Sequence, residues 1–424
     1  MKKMISVILL LSMLAAAAVG CNVQENVPGD ETTSTEAATE AATEPASETE
    51  TEPESETETE PETEFETEPP LPDEAEKVEN PQYSTNASAN NTGSAETEAA
   101  SEEETEPERV YNYLNGVTTT EEEQNKRPIA IMMNNIHHCL PQANLLAGDM
   151  YYECAAEGGI TRIMMLVSDY ENMSEVGSVR SSRDYFVDFL ANHNALYVHA
   201  GGSPDAYSKI EWRGINNLDG VNMYLPNEAF YRDMDRWTNM GMEHSLMTTG
   251  AKIAAAIEYK GYPTTHDETF ENPFKFYDEN TDNHINGSPA THVRMESTSV
   301  QTVDFVYDTE TGEYWRYQYN GEKQVDALTG EQLSVKNVII LFTEISLIPG
   351  DEAGRLSVAT VGSGQGYYIT NGKRKVINWS REGKTTPIHL EYRNGDELIL
   401  NSGKTFICVV DDSVAQKIYF EYEW

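Results

Sequence analysis

Two textures of apolar patterning divide this chain. Between about residues 110 and 262, short apolar runs alternate with stretches of helical period. Beyond residue 300 nearly every apolar run is short and strand-like. In the first region, residues 128–133, 160–167 and 195–200 read as strands, because uninterrupted apolar runs bounded by turn residues suit strands covered on both faces. Residues 145–157 read as a helix stopped at Gly158-Gly159, where glycine supplies the left-handed termination. Residues 184–193 put Tyr185, Phe186, Phe189 and Leu190 on one helical face, and a later helix over 249–259 closes at Gly261 and Pro263. Alternating strands and helices imply an α/β N-terminal domain with a mixed sheet, over residues 110–280.

The second region carries strand-like runs at 303–307, 314–319, 337–348, 356–361, 366–370, 376–380, 389–392, 397–400, 405–410 and 417–422. Between them sit Gly312, Asn320-Gly321, Asn371-Gly372 and Asn394-Gly395, and Asn-Gly is the strongest short hairpin signal. This predicts a β-rich antiparallel C-terminal domain over 295–424, built as a barrel or sandwich. The boundary falls within 272–296, where periodicity is weak.

The first 109 residues have neither texture. Met1-Lys2-Lys3, an apolar run to Val19 and small residues before Cys21 describe a lipoprotein signal peptide over 1–20, with Cys21 as the lipidated N-terminus. Residues 22–108 hold 28 Asp and Glu against one Lys, which is −27 of the net −43. Almost no large apolar residue interrupts this Thr/Glu tract, so it cannot offset its ordering entropy, and 21–109 is expected to be a disordered tether. It can also be read as O-glycosylated or cation-binding. The three other cysteines, Cys139, Cys154 and Cys408, are too few and too odd for a disulfide scaffold. The acidic balance argues against nucleic acid as a partner. A lipid anchor at Cys21 would make the membrane one, at the outer face of the cytoplasmic membrane.

Two turns could hold an anion. In Val179-Arg180-Ser181-Ser182-Arg183-Asp184, Ser181 and Asp184 have capping-box spacing, and a helix start flanked by two guanidiniums suits phosphate or carboxylate. In His199-Ala200-Gly201-Gly202-Ser203-Pro204, Ser203 can cap a helix with Pro204 in its first position, and Gly201 and Gly202 admit close approach. If the preceding strands are parallel neighbours, both turns share one sheet edge, the usual ligand crevice of such folds. Arg232 and Arg236, a helical turn apart, and His244 add to the set. Asp149, Glu153 and Glu157 would line one face of the 145–157 helix, as a solvated stripe or with Glu157 as a base. The run His137-His138-Cys139 does not match a structural zinc spacing, so neither metal nor cofactor is expected. No Walker loop, nucleophile elbow or zincin motif is present.

At these residues a resemblance emerges. The segments at 127–132, 141–143, 157–162, 179–183 and 201–204, with 312–316, 337–339 and 401–405, resemble the YerB family of bacterial lipoproteins, in order and across nearly all of 127–411. Where that family tends to have Pro-His-Asn, this chain has Glu243-His244-Ser245. The resemblance implies a lipid-anchored envelope protein in two domains, of a family without an assigned biochemical function. A fainter likeness, confined to the N-terminal half, is to the LytR–CpsA–Psr phosphotransferases of lipid-linked glycopolymers, through Arg183-Asp184, Asn194 with Gly201-Gly202, and Arg232/Arg236. The acidic residue which that family places at its first strand is absent, since Thr161-Arg162 precedes the apolar run. The expectation is an envelope protein binding an anionic, phosphate-bearing lipid or glycopolymer through Arg180, Arg183, His199, Gly201, Gly202, Ser203, Arg232 and Arg236. The alternatives are a phosphotransferase using Asp184 or Glu157, and a non-catalytic protein-interaction module.

Overall fold

The computed structural model describes residues 109–225 and 228–423; the signal segment, Cys21 and the acidic tether lie outside the described residues. The N-terminal half contains α1 (Glu121–Asn125), β1 (Ile129–Asn134), β2 (Met150–Ala155), β3 (Thr161–Val167), β4 (Glu175–Gly177), α2 (Asp184–Ala191), β5 (Leu196–His199), α3 (Pro204–Arg213), β6 (Asn217–Asp219), β7 (Tyr231–Arg232), α4 (Met234–Met240), β8 (Leu246–Thr249) and α5 (Gly250–Lys260). The C-terminal half adds β9 (Lys275–Phe276), β10 (Ser288–Pro289), β11 (His292–Glu296), β12 (Thr302–Asp308), β13 (Glu313–Gln318), β14 (Glu322–Lys323), β15 (Ser334–Val335) and β16 (Asn337–Thr343). It ends with β17 (Ile345–Leu347), β18 (Leu356–Val358), β19 (Gly362–Thr370), β20 (Lys373–Arg381), β21 (His389–Tyr392), β22 (Ile399–Leu400), β23 (Thr405–Asp411) and β24 (Ile418–Phe420). The fold class is the expected one: a mixed sheet in the N-terminal half and a strand-rich, largely antiparallel C-terminal half.

The large sheet is common to both halves. It has 11 strands, ordered β10-β20-β19-β16-β23-β2-β3-β1-β5-β6 with β21 beside β20, so β2 pairs with β23 in parallel. Of the remaining C-terminal strands, β11 to β15 and β24 form a six-stranded antiparallel sheet, while β17 pairs with β18 and β22 with β9. Side chains alternate along β1, sending Ile129, Ile131 and Met133 to one core and Ala130 and Met132 to the other. The first core is shared with α5 and the six-stranded sheet, through Ile253, Ile257, Met295 and Phe305. The second is covered by α2, whose Tyr185, Phe186, Phe189 and Leu190 pack as the periodicity predicts.

One element differs in kind. The predicted helix over 145–157 is a single 3-10 turn, Leu145–Ala147, followed by strand β2. The strand lies between β23 and β3 with Met150 to Cys154 all buried, which only a central strand requires. The acidic stripe therefore dissolves. Glu153 points into the space between the two sheets, where Arg316, fully buried on β13, donates to its Oε2 at 2.6 Å. Around this pair Asn135 donates to Glu153 (2.9 Å) and Thr161 (2.8 Å), Thr161 donates to Glu153 (2.6 Å), and Gln142 donates to Asn135 (3.0 Å). The carboxylate and the guanidinium neutralise each other, as burial demands, while Arg316 Nε is left without a hydrogen-bond partner.

Candidate functional site

The two turns do meet. β1 and β5 run parallel, and beyond their paired length the segment 178–183 inserts along the end of β1, with Arg180 N–H donating to Met132 O at 2.8 Å. The same segment then binds the turn after β5: Ala200 N–H to Arg180 O (2.9 Å), Ser182 N–H to Gly201 O (2.9 Å) and Ser203 N–H to Ser182 O (3.2 Å). The turns thus share the carboxyl edge of two parallel strands, the crevice where open α/β sheets hold ligands. The route differs from the expected one, because β4 pairs antiparallel with β8 in a separate three-stranded sheet.

Three guanidiniums gather here. Arg162, buried on β3, donates to Ser181 O (3.0 Å) and to Glu157 Oε2 (3.2 Å). Arg183 donates through Nε to Glu157 Oε1 and through Nη1 to Ser182 O (2.7 Å). Burial opposes ionisation of Glu157, but the Arg183 hydrogen bond and both guanidiniums outweigh it and hold the carboxyl below its ordinary range. Arg180, also buried, donates to His244 Nδ1 (2.5 Å) and to Glu243 O (3.2 Å), and its Nη2 lies 3.5 Å from the Glu243 carboxylate. Burial, then the Arg180 charge, push the His244 imidazole down to about 4, so the ring is neutral at physiological pH.

The other predicted residues are placed as follows. His199 is fully buried, bonded to Gly201 O (2.9 Å) and Asn217 Oδ1 (3.2 Å), and orients the turn from beneath. Gly201 takes φ +72, and its N–H donates to Asp219 (2.7 Å), which also receives the Tyr207 hydroxyl (2.6 Å). Gly202 bridges to Ser182, and Ser203 caps α3 by accepting from Ala206 N (3.2 Å). The capping box does not form: α2 starts after Arg183 without a side-chain cap, and Ser181 Oγ donates instead to Ala200 O (2.9 Å). Asp184 pairs with Lys209 (3.0 Å). Arg232 and Arg236 are not on one helix: Arg232 ends β7 and donates to Met242 O (2.5 Å), while Arg236 on α4 donates to Cys139 O (3.2 Å) and Pro141 O (2.8 Å).

Sequence reasoning missed Arg162, Glu243, Tyr207 and Asp219. Arg162 lies three residues beyond the Glu157-Gly158-Gly159 motif, Glu243 adjoins His244 and Tyr207 follows Ser203 by one helical turn, and those spacings were their signals; Asp219 is joined to the site only by tertiary structure. The structure also places donor atoms of His138, Cys139 and His244 within 4.8 Å of one another. Arg180 already donates to Nδ1 of that imidazole, which leaves its proton on Nε2 toward Glu243 (3.3 Å). Burial pushes the Cys139 thiol up to about 11 against the opposing pull of Arg180 and Arg236. A neutral thiol, an imidazole holding its proton on Nε2 and two guanidiniums suit a cation poorly.

Residues 114–263 match the N-terminal domain, and residues 291–407 the C-terminal domain, of a family described as a protein of unknown function (DUF3048). The chain belongs to this family. A relative, "Putative lipoprotein YerB" of Bacillus subtilis (strain 168), is 27% identical over 310 residues, spanning 72% of this chain and 87% of the relative. The crystal structure of YerB protein from Bacillus subtilis superimposes with a TM-score of 0.62 at 25% identity, covering 74% of this chain and all (100%) of that one. The YerB resemblance read from the motifs therefore holds.

Proposed function

We propose that this protein is anchored through Cys21 at the outer face of the cytoplasmic membrane and holds an anionic group, the phosphate or carboxylate of an envelope lipid or glycopolymer, at the Arg162–Arg180–Arg183 edge. The observation that carries this reading is an imbalance of charge. Two of the three guanidiniums, Arg162 and Arg183, share Glu157, and among the described residues the one further carboxylate paired with this edge is Glu243, whose side chain is 69% exposed and 3.5 Å from Arg180. An exposed, loosely held carboxylate is a placeholder that a ligand anion can displace, and the freed contact to Arg180 is a charge-assisted one. The positive edge is local, in a chain of net charge −43. A transferase reading has less support, because a carboxyl held ionised between two guanidiniums is a weak base and Asp184 is engaged by Lys209.

The test is calorimetric titration with glycerol-phosphate oligomers and, separately, with phosphatidylglycerol vesicles. Arg180→Ala should weaken binding by about ten- to a hundredfold, the worth of a charge-assisted contact. Glu243→Gln should tighten it. Unchanged affinity in Arg180→Ala, or no response to either probe, would overturn the reading.

A further inference from the structure

At the far end of α3 from the arginine edge, the surface opens into a trough of about 520 Å³. That is within the range of about 300–1,000 Å³ typical of small-molecule sites. On its rim stands Trp212, 60% exposed, a large apolar ring that no packing requirement explains. The Arg213 guanidinium lies 5.5 Å from the ring centroid and is itself bonded to Asp188 at 2.5 Å, so the indole has a fixed neighbour. The rest of the lining mixes the apolar Leu190, Ala195 and Ile215 with polar groups, whose two guanidiniums are engaged within the protein. Arg127 donates to Asn194 O (2.7 Å) and Asn216 Oδ1 (2.8 Å), which turns the amide N–H groups of Asn216 into the donors left for a ligand. Asn194 donates to Asp267 (2.8 Å), which leaves the remaining lone pairs of that carboxylate as acceptors.

We infer that this trough is a saccharide site. An exposed indole offers an apolar face to the C–H face of a pyranose ring, and planar amides with a carboxylate match the paired hydroxyls at its edge. The acceptor on the lining, Asp267, calls for O–H donors. The Asp267 carboxylate on the lining disfavours an anion, so the ligand is a neutral polyhydroxylated chain. None of these residues belongs to the arginine edge, which lies about 15 Å away along the ten residues of α3. The two sites therefore report independently, and one glycopolymer could reach both.

The experiment titrates the mature chain with neutral tetrasaccharides, the β-1,4-linked N-acetylglucosamine tetramer and maltotetraose, by calorimetry and saturation-transfer NMR. At least one should bind, with transfer strongest to ring C–H protons. Trp212→Ala should weaken it by at least about tenfold, Asp267→Asn by a smaller factor, and Arg180→Ala should leave it unchanged. Because Trp212 is exposed, its removal should leave the circular dichroism and melting temperature intact, so a loss of binding is not a loss of fold. No binding of either tetramer at about 10 mM, or binding indifferent to Trp212→Ala, overturns the inference.

Discussion

Glu153 shows how much one side chain can carry in this molecule. Its carboxylate and the Arg316 guanidinium, both buried and 2.6 Å apart, link the two sheets. Neither has water to fall back on, so removing one partner strands the other charge, at a cost of about 3–5 kcal/mol. Glu153→Ala should lower the free energy of unfolding in urea by that order. The double replacement Glu153→Met/Arg316→Met should recover most of the loss, because no charge is then left alone. A single mutant within about 1 kcal/mol of wild type would show that solvent reaches the pair. Titration argues at the same scale. Burial, with His266 and Arg381 adding to it, pushes the His193 imidazole down to about 3, and its Nε2 lies 2.9 Å from the Tyr152 hydroxyl. An unfolded chain protonates this ring near pH 6.5, well before the folded one does. The stability that the neutral ring contributes is complete above about 6.5 and is lost as pH falls toward 3. The melting temperature should therefore decline over that window, and His193→Gln should flatten part of the decline; an unchanged slope would place the acid sensitivity elsewhere.

Elements were legible where their causes are local. The sequence around α3 carries its whole description: Ser203 to cap, Pro204 in the first turn, and Gly214, at φ 64, to stop. Ser203→Ala should cost about 1 kcal/mol and Ser203→Asp almost nothing, read as shifts in the urea midpoint. An equal loss in both would mean that the serine serves the turn and not the cap. β2 was misread for the complementary reason. Asp149, Glu153 and Glu157 repeat every fourth residue, as on a helix face, and the strand signal in Met150-Tyr151-Tyr152 is weak beside it. What makes it a strand is β23 on one side and β3 on the other, and no window of local sequence contains β23. The arginine edge divides the same way. Arg180, Arg183 and the Gly201–Ser203 turn were visible as motifs, whereas Arg162, on β3, and Glu243, in the turn before β8, are brought to them by tertiary structure. The helix proposed for Arg232 and Arg236 failed because Asp233 starts a new one, accepting from Arg236 N between the two arginines.

The change of texture near residue 280 does not divide the large sheet. β16, β19, β20 and β23 lie beyond it in sequence, yet they continue the sheet that β2, β3, β1, β5 and β6 begin. Three consequences follow for a chain cut there. β2 would lose its whole parallel partner, from Met150 against Thr405 to Cys154 against Val409, and expose a central apolar edge to water. Glu153 would lose Arg316 in the same cut, and the first core would lose the six-stranded sheet that covers it. Hydrophobic burial, charge pairing and backbone hydrogen bonding would all fail at one place, so residues 109–290 should not form a stable unit. Expressed alone, that segment should be insoluble or show no cooperative thermal transition, whereas residues 109–424 should melt in a single transition with calorimetric and van't Hoff enthalpies in agreement. Mixing separately expressed halves should restore the transition if the β2–β23 pairing is what they lack. A dispersed NMR spectrum from residues 109–290 alone would mean that the N-terminal half folds without β23, and that the shared sheet is a docking of two independent domains.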